Sequence, residues 1–134
     1  MRFMRFAKGR TRIAGKANKT ESRYADVLEA RRLCGEIEWY KFEGFNVRLA
    51  DSTFYMPDYV VMLADGTFEA HEVKAGRVDK ATGKVVKISE DASNIKIKIA
   101  ADMYPFRFVW AVEQPKKLGG GFVLQTVGGY SDQG

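Results

Sequence analysis

The chain has a single cysteine, Cys34, and a single histidine, His71, among 134 residues. One cysteine excludes an internal disulfide and fits a reducing compartment, and one histidine removes most zinc sites, which draw on several Cys and His ligands. Zinc-finger and histidine-metal chemistries are set aside on that ground. Cys34 falls in a helical pattern and reads as a small core side chain, because no histidine stands in a triad pattern with it. Long apolar runs are missing as well: the longest are a few residues, far short of the roughly 20 that a membrane helix needs. No apolar segment follows the basic start as a secretion signal requires. These absences point to a soluble, cytoplasmic protein with no membrane partner.

Acid is missing from the first nineteen residues, which hold Arg2, Arg5, Lys8, Arg10, Arg12, Lys16 and Lys19. The rest of the chain therefore nets −2, against +5 for the whole. A basic, Gly-containing segment with little hydrophobic periodicity reads as a flexible arm that seeks phosphate, and extended it spans roughly 60 Å. Its seven cations are candidate nucleic-acid contacts. A solubilising tail is the alternative, as is a targeting peptide, though the segment lacks the serines of one. The organisation expected is an arm over residues 1–17, one domain over 18–127 and a loose tail over 128–134. With 46% hydrophobic and 13% aromatic residues the chain can bury one real core, and its length leaves no room for a second.

The pattern predicts a helix from Asn18 to Gly35, with Asn18 as cap and Glu21 closing the capping box. Tyr24, Val27, Leu28 and Leu33 are its apolar positions, and Glu21 shares that stripe. Strand-like pieces follow at 39–42 and 45–49, broken at Glu43-Gly44. Residues 76–87 read as a polar, basic loop. A second helix is expected over 89–104, capped by Ser89, with Glu90 and Asp91 in its first turn and Pro105 after it. Its apolar side is read as Ala92, Ile95, Ile99 and Met103, with Lys96 on the same side. The aromatic residues Trp39, Tyr40, Phe42, Phe45, Phe106, Phe108 and Trp110 sit in strand patterns and read mostly as core. Two more strands, 106–112 and 122–127, complete the order α-β-β-β-α-β-β, an α/β (α+β) fold with a central mixed sheet flanked by helices.

The segment that carries chemistry is a hairpin. Residues 54–63 and 67–75 flank Ala64-Asp65-Gly66, whose glycine suits the left-handed position of a three-residue turn. That turn sets Leu63 opposite Thr67, and counting back places Met62 against Phe68, Val60 against Ala70, Asp58 against Glu72 and Met56 against Lys74. Side chains alternate along strands, so these share one face, while His71 points to the other and reads as structural. Opposed carboxylates lie about 5 Å apart and repel by roughly 3 kcal/mol at an effective dielectric of 20. A divalent cation offsets that best, because Mg²⁺ favours one or two carboxylates plus retained waters. Taken singly, Asp58 is a turn or edge residue after Pro57, and Glu72 with Lys74 is a solvated pair. Jointly they make a cation site.

A helix bearing Glu21, then Pro57-Asp58, then Glu72-Val73-Lys74 on consecutive strands, then a helix and a strand, resembles the PD-(D/E)XK nuclease superfamily. Within it the phrases Tyr55-Met56-Pro57-Asp58-Tyr59 and His71-Glu72-Val73-Lys74 resemble phage-encoded endonucleases, including the endonuclease I type of Holliday junction resolvase. The resemblance spans roughly residues 18 to 112. It implies a restriction-endonuclease-like core in which Asp58, Glu72 and the Val73 carbonyl bind Mg²⁺ or Mn²⁺, with Glu21 helping to hold a metal. It also implies that Lys74 orients the attacking water or stabilises charge on the phosphate. Lys96 is a further candidate phosphate contact, or else a snorkelling lysine. The implied activity is metal-dependent cleavage of DNA, preferably branched, by a homodimer acting in phage DNA recombination or processing in the host cytoplasm, with no small-molecule cofactor. Nicking, flap or restriction-like cleavage stays open, and so does a non-catalytic nucleic-acid-binding module.

Overall fold

A computed structural model describes residues 16–88 and 92–128. Arg2, Arg5, Lys8, Arg10 and Arg12, the expected cap Ser89 with Glu90 and Asp91, and residues 129–134 lie outside the described residues. Helix α1 (Lys19–Leu33) starts where the sequence places it. The Asn18 side chain accepts the Glu21 N–H at 2.8 Å and the Glu21 carboxylate accepts the Asn18 N–H at 2.9 Å. Such a cap stabilises a helix by about 1 kcal/mol. The helix buries Glu21, Tyr24 and Leu28. Leu33 lies about 140° further round the helix than Leu28, and it is 72% exposed. Cys34 occupies the C-cap and is also exposed, which corrects its reading as a core side chain.

The central sheet consists of β1 (Ile37–Phe42), β4 (Tyr59–Leu63), β5 (Phe68–Val78), β7 (Arg107–Glu113) and β8 (Phe122–Thr126), in the order β1-β4-β5-β7-β8. Strand β6 (Val85–Lys87) pairs with the far end of β5. The β5–β7 pair is parallel and the other pairs antiparallel, so the sheet is mixed. Two short strands, β2 (Val47–Ala50) and β3 (Thr53–Tyr55), form a separate hairpin. One sheet face meets α1 through Tyr24, Leu28, Tyr59, Val61 and Val73. The other meets α2 (Ala92–Met103) and the β2–β3 hairpin through Val47, Leu49, Tyr55, Ala70, Ile97 and Phe108. Among the described residues the result is a mixed α+β fold with two α-helices on a mixed central sheet.

The turn fixes the hairpin register as predicted: Met62 faces Phe68, Val60 faces Ala70 and Tyr59 faces His71, with Gly66 at φ +89°. Three expectations are corrected. The strand read over 54–63 is two strands, because Pro57 has no N–H with which to continue the ladder. Residues 53–55 turn away to pair with β2, so Met56 never enters a ladder opposite Lys74. The loop read over 76–87 is a β-ribbon in which Gly76 pairs with Lys87 and Val78 with Val85. Helix α2 buries Asn94, Ile97, Ala100 and Ala101, whereas Ile95, Ile99 and Met103 are exposed. This helix is apolar on two sides, and periodicity cannot choose between them. The small Ala100 and Ala101 decide it, since they let the helix pack closely over Phe108 and Val127.

Candidate active site

Strand β5 runs through the middle of the sheet and presents Glu72 and Lys74 to the α2 side, where both are buried. The Tyr55 hydroxyl donates to Glu72 Oε1 at 2.6 Å, and Lys74 Nζ lies 3.6 Å from Glu72 Oε2. Lys74 Nζ also donates to Ser93 Oγ at 2.7 Å, which ties β5 to the first turn of α2. Burial and the neighbouring Glu72 push the Tyr55 phenol far up, so it stays a donor. The lysine is thus positioned by two elements.

Asp58 lies just before β4, half-buried, on the same side as Glu72. Its Oδ2 accepts the Val73 N–H at 2.8 Å and its carbonyl accepts the Glu43 N–H at 2.8 Å. Burial, then the charges of Glu72 and Glu21, hold the Asp58 carboxyl well above the usual aspartate range. The acids therefore crowd one another, as the hairpin register implies.

Glu21 reaches this point from α1 while its carboxylate also closes the helix cap, and the Tyr59 hydroxyl holds its backbone carbonyl at 2.8 Å. Asp58 and Glu72 line a cleft of about 430 Å³ together with Glu43, Phe54, Ser93 and Lys96. Glu21 is behind Asp58 and does not line that cleft. Lys96 stands on the rim, whereas Lys16 and Lys19 are exposed at the start of α1. Glu43 is the acid that sequence reasoning missed. It ends β1 with φ +49°, a left-handed conformation that a non-glycine residue seldom adopts. The only signal was the break at Glu43-Gly44, which looks like any other loop.

Among the described residues no three His, Cys, Asp or Glu side chains form a ready-made cation cage. Asp58 and Glu72 line the same cleft, and the backbone of Val73 is tied to Asp58. Continued by two residues, the β4–β5 register sets Val73 opposite Pro57, which has no N–H to give to the Val73 carbonyl, while the Val73 N–H turns to Asp58. Two carboxylates and a carbonyl are hard oxygen donors that suit Mg²⁺ or Mn²⁺ with waters completing the shell. Burial, with the charges of Glu72 and Glu21 added, disfavours the Asp58 carboxylate, and such a cation would offset both.

His71 points to the α1 side and is fully buried. Its Nδ1 is 2.6 Å from the Tyr24 hydroxyl and its Nε2 is 2.9 Å from Glu69 Oε1. Comparison of the chain with protein-family models, with curated proteins and with solved structures finds no match in any of the three.

Proposed function

We propose that this chain is a metal-dependent DNA endonuclease with a restriction-endonuclease-like core, acting on branched DNA as a homodimer. The observation that carries the reading is that Asp58, just before β4, and Glu72 of β5 line one cleft, with Lys74 two residues along β5 and 3.6 Å from Glu72. Asp58, Glu72 and the Val73 carbonyl would hold Mg²⁺ or Mn²⁺, with Glu21 in support behind Asp58. When bound, the cation polarises the phosphate and acidifies water. Lys74, pinned by Ser93 and beside Glu72, supplies a fixed ammonium that stabilises charge growing on the phosphate oxygens. Tyr55 fixes the Glu72 carboxylate and Lys96 meets the DNA backbone at the rim. Water adds to phosphorus and gives up a proton to solvent as the P–O3′ bond breaks, the departing O3′ oxygen takes a proton from solvent, and the ends carry 5′-phosphate and 3′-hydroxyl. Each subunit cuts one strand, and a two-fold dimer cuts a four-way junction symmetrically.

The test is incubation of linear, flap and four-way DNA with the protein in Mg²⁺ or Mn²⁺. Cleavage that disappears in Glu72→Ala while DNA binding persists supports the proposal. Binding without cleavage of any substrate leaves a nucleic-acid-binding module.

A further inference from the structure

Strand β5 does not end at the candidate site. It continues from Lys74 to Val78 and returns as β6, a two-stranded ribbon with a tip at Asp79–Lys84. The ribbon is strongly basic: Arg77, Lys80, Lys84 and Lys87 stand against the single acid Asp79. That acid is occupied in building the turn, where Asp79 Oδ1 accepts the Ala81 N–H at 2.9 Å and the Asp79 N–H donates to the Lys84 carbonyl at 2.8 Å. Arg77, Lys80 and Lys84 are exposed and make no ion pair among the described residues. The arginines of α1 behave differently: Arg23, Arg31 and Arg32 each pair with a glutamate.

The ribbon is also held at a fixed angle. A Cβ on Gly76 would come within 2.4 Å of the Glu113 carbonyl and 2.5 Å of Val85 Cγ2, so only glycine lets β6 and β7 close on this point. Lys87, opposite Gly76, lays its ammonium 3.1 Å from the centre of the Trp110 ring on the cleft side. By alternation Arg77 is on the other side, so cations project from both faces and from the tip. Val78, where the strand gives way to the tip, lies four residues beyond Lys74, about 13 Å along the strand. A two-stranded ribbon fits the major groove of duplex DNA, where a cation on each face meets a phosphate wall on each side.

We propose that the β5–β6 ribbon is a duplex-gripping element: it enters the groove of the DNA arm beside the scissile phosphate and contacts backbone phosphates through Arg77, Lys80 and Lys84. The proposal rests on the nuclease reading and adds to it the placement of the substrate arm. It is tested by measuring affinity for a fluorescent 30-base-pair duplex and for a four-way junction over a salt series. Arg77→Ala/Lys80→Ala/Lys84→Ala should lower the log–log salt slope by about 1 per contact removed, and Lys116→Ala/Lys117→Ala, on another exposed turn, should leave it unchanged. Gly76→Ala, which shifts the ribbon with no change of charge, should weaken binding of both DNAs while circular dichroism stays native. An unchanged slope in the triple variant, or an equal loss in the Lys116/Lys117 control, overturns the ribbon and leaves the nuclease reading standing. Absence of DNA binding by the unaltered chain overturns both.

Discussion

One strand feeds two polar clusters that face opposite ways. On the α1 side of β5, Glu69 and His71 join Tyr24 in a closed chain: each ring nitrogen of His71 has a partner, and Arg107 lies 3.7 Å from Glu69. Burial pushes the His71 pKa down, so the imidazole is neutral and the cluster carries little net charge. On the α2 side, Glu72 and Lys74 alternate with those residues, and Glu72 meets Asp58 and Glu43 at an open cleft where three carboxylates gather. A satisfied network rigidifies a core, whereas an unbalanced one next to solvent marks a place where a ligand completes the charge. In the proposed reading the closed cluster is structural and the open one is the active site.

The comparison breaks most sharply with paired substitutions. Glu72→Ala or Lys74→Ala should lower cleavage by roughly 10³-fold, the scale of losing one preorganised electrostatic group, out of proportion to any loss of stability. His71→Ala should do the reverse. It leaves a cavity and strands the Tyr24 hydroxyl and the Glu69 carboxylate, so chemical denaturation should show a loss of about 3 kcal/mol while activity per folded molecule is retained. If both substitutions cost stability alike, the two clusters do not differ in kind.

A smaller effect sharpens the contrast. Asp58→Asn removes a charge that burial and its neighbours disfavour but keeps an acceptor for the Val73 N–H, so metal-free protein should gain about 1 kcal/mol near neutral pH even as cleavage is lost. The sign of the pH dependence follows from the same shift. The folded carboxyl binds a proton more tightly than the unfolded one, so the Asp58 contribution favours folding at low pH and is lost as pH rises through its raised folded value. Thermal melts without metal should show that decline, and Asp58→Asn should abolish it.

Smallest of all is the effect expected on the outer face of α2. Ile99→Ser should change stability by less than about 0.5 kcal/mol, against a loss of about 2–5 kcal/mol for Ile97→Ala. These two residues also show where sequence reading fails. Both are isoleucines two positions apart on a doubly apolar helix, and only the sheet beneath selects Ile97. The hairpin was legible because Ala64-Asp65-Gly66 leaves one register, and that register brought Asp58 to Glu72 without any knowledge of the rest. Glu21 was legible twice over, as cap partner and as a member of the buried stripe. The ribbon was not, because β6 is only three residues long and its partner is the far end of a strand already assigned. Glu43 was hidden because its placement depends on a left-handed backbone at a site with no glycine.

The central claim is that Asp58 and Glu72 share a divalent cation. Titration of Mn²⁺ into metal-free protein, followed by electron paramagnetic resonance of the free ion, tests it without any substrate. Saturable binding that is lost in both Asp58→Asn and Glu72→Gln, and kept in His71→Ala, is the result predicted. Binding untouched by the first two substitutions, or none in the unaltered chain, contradicts it.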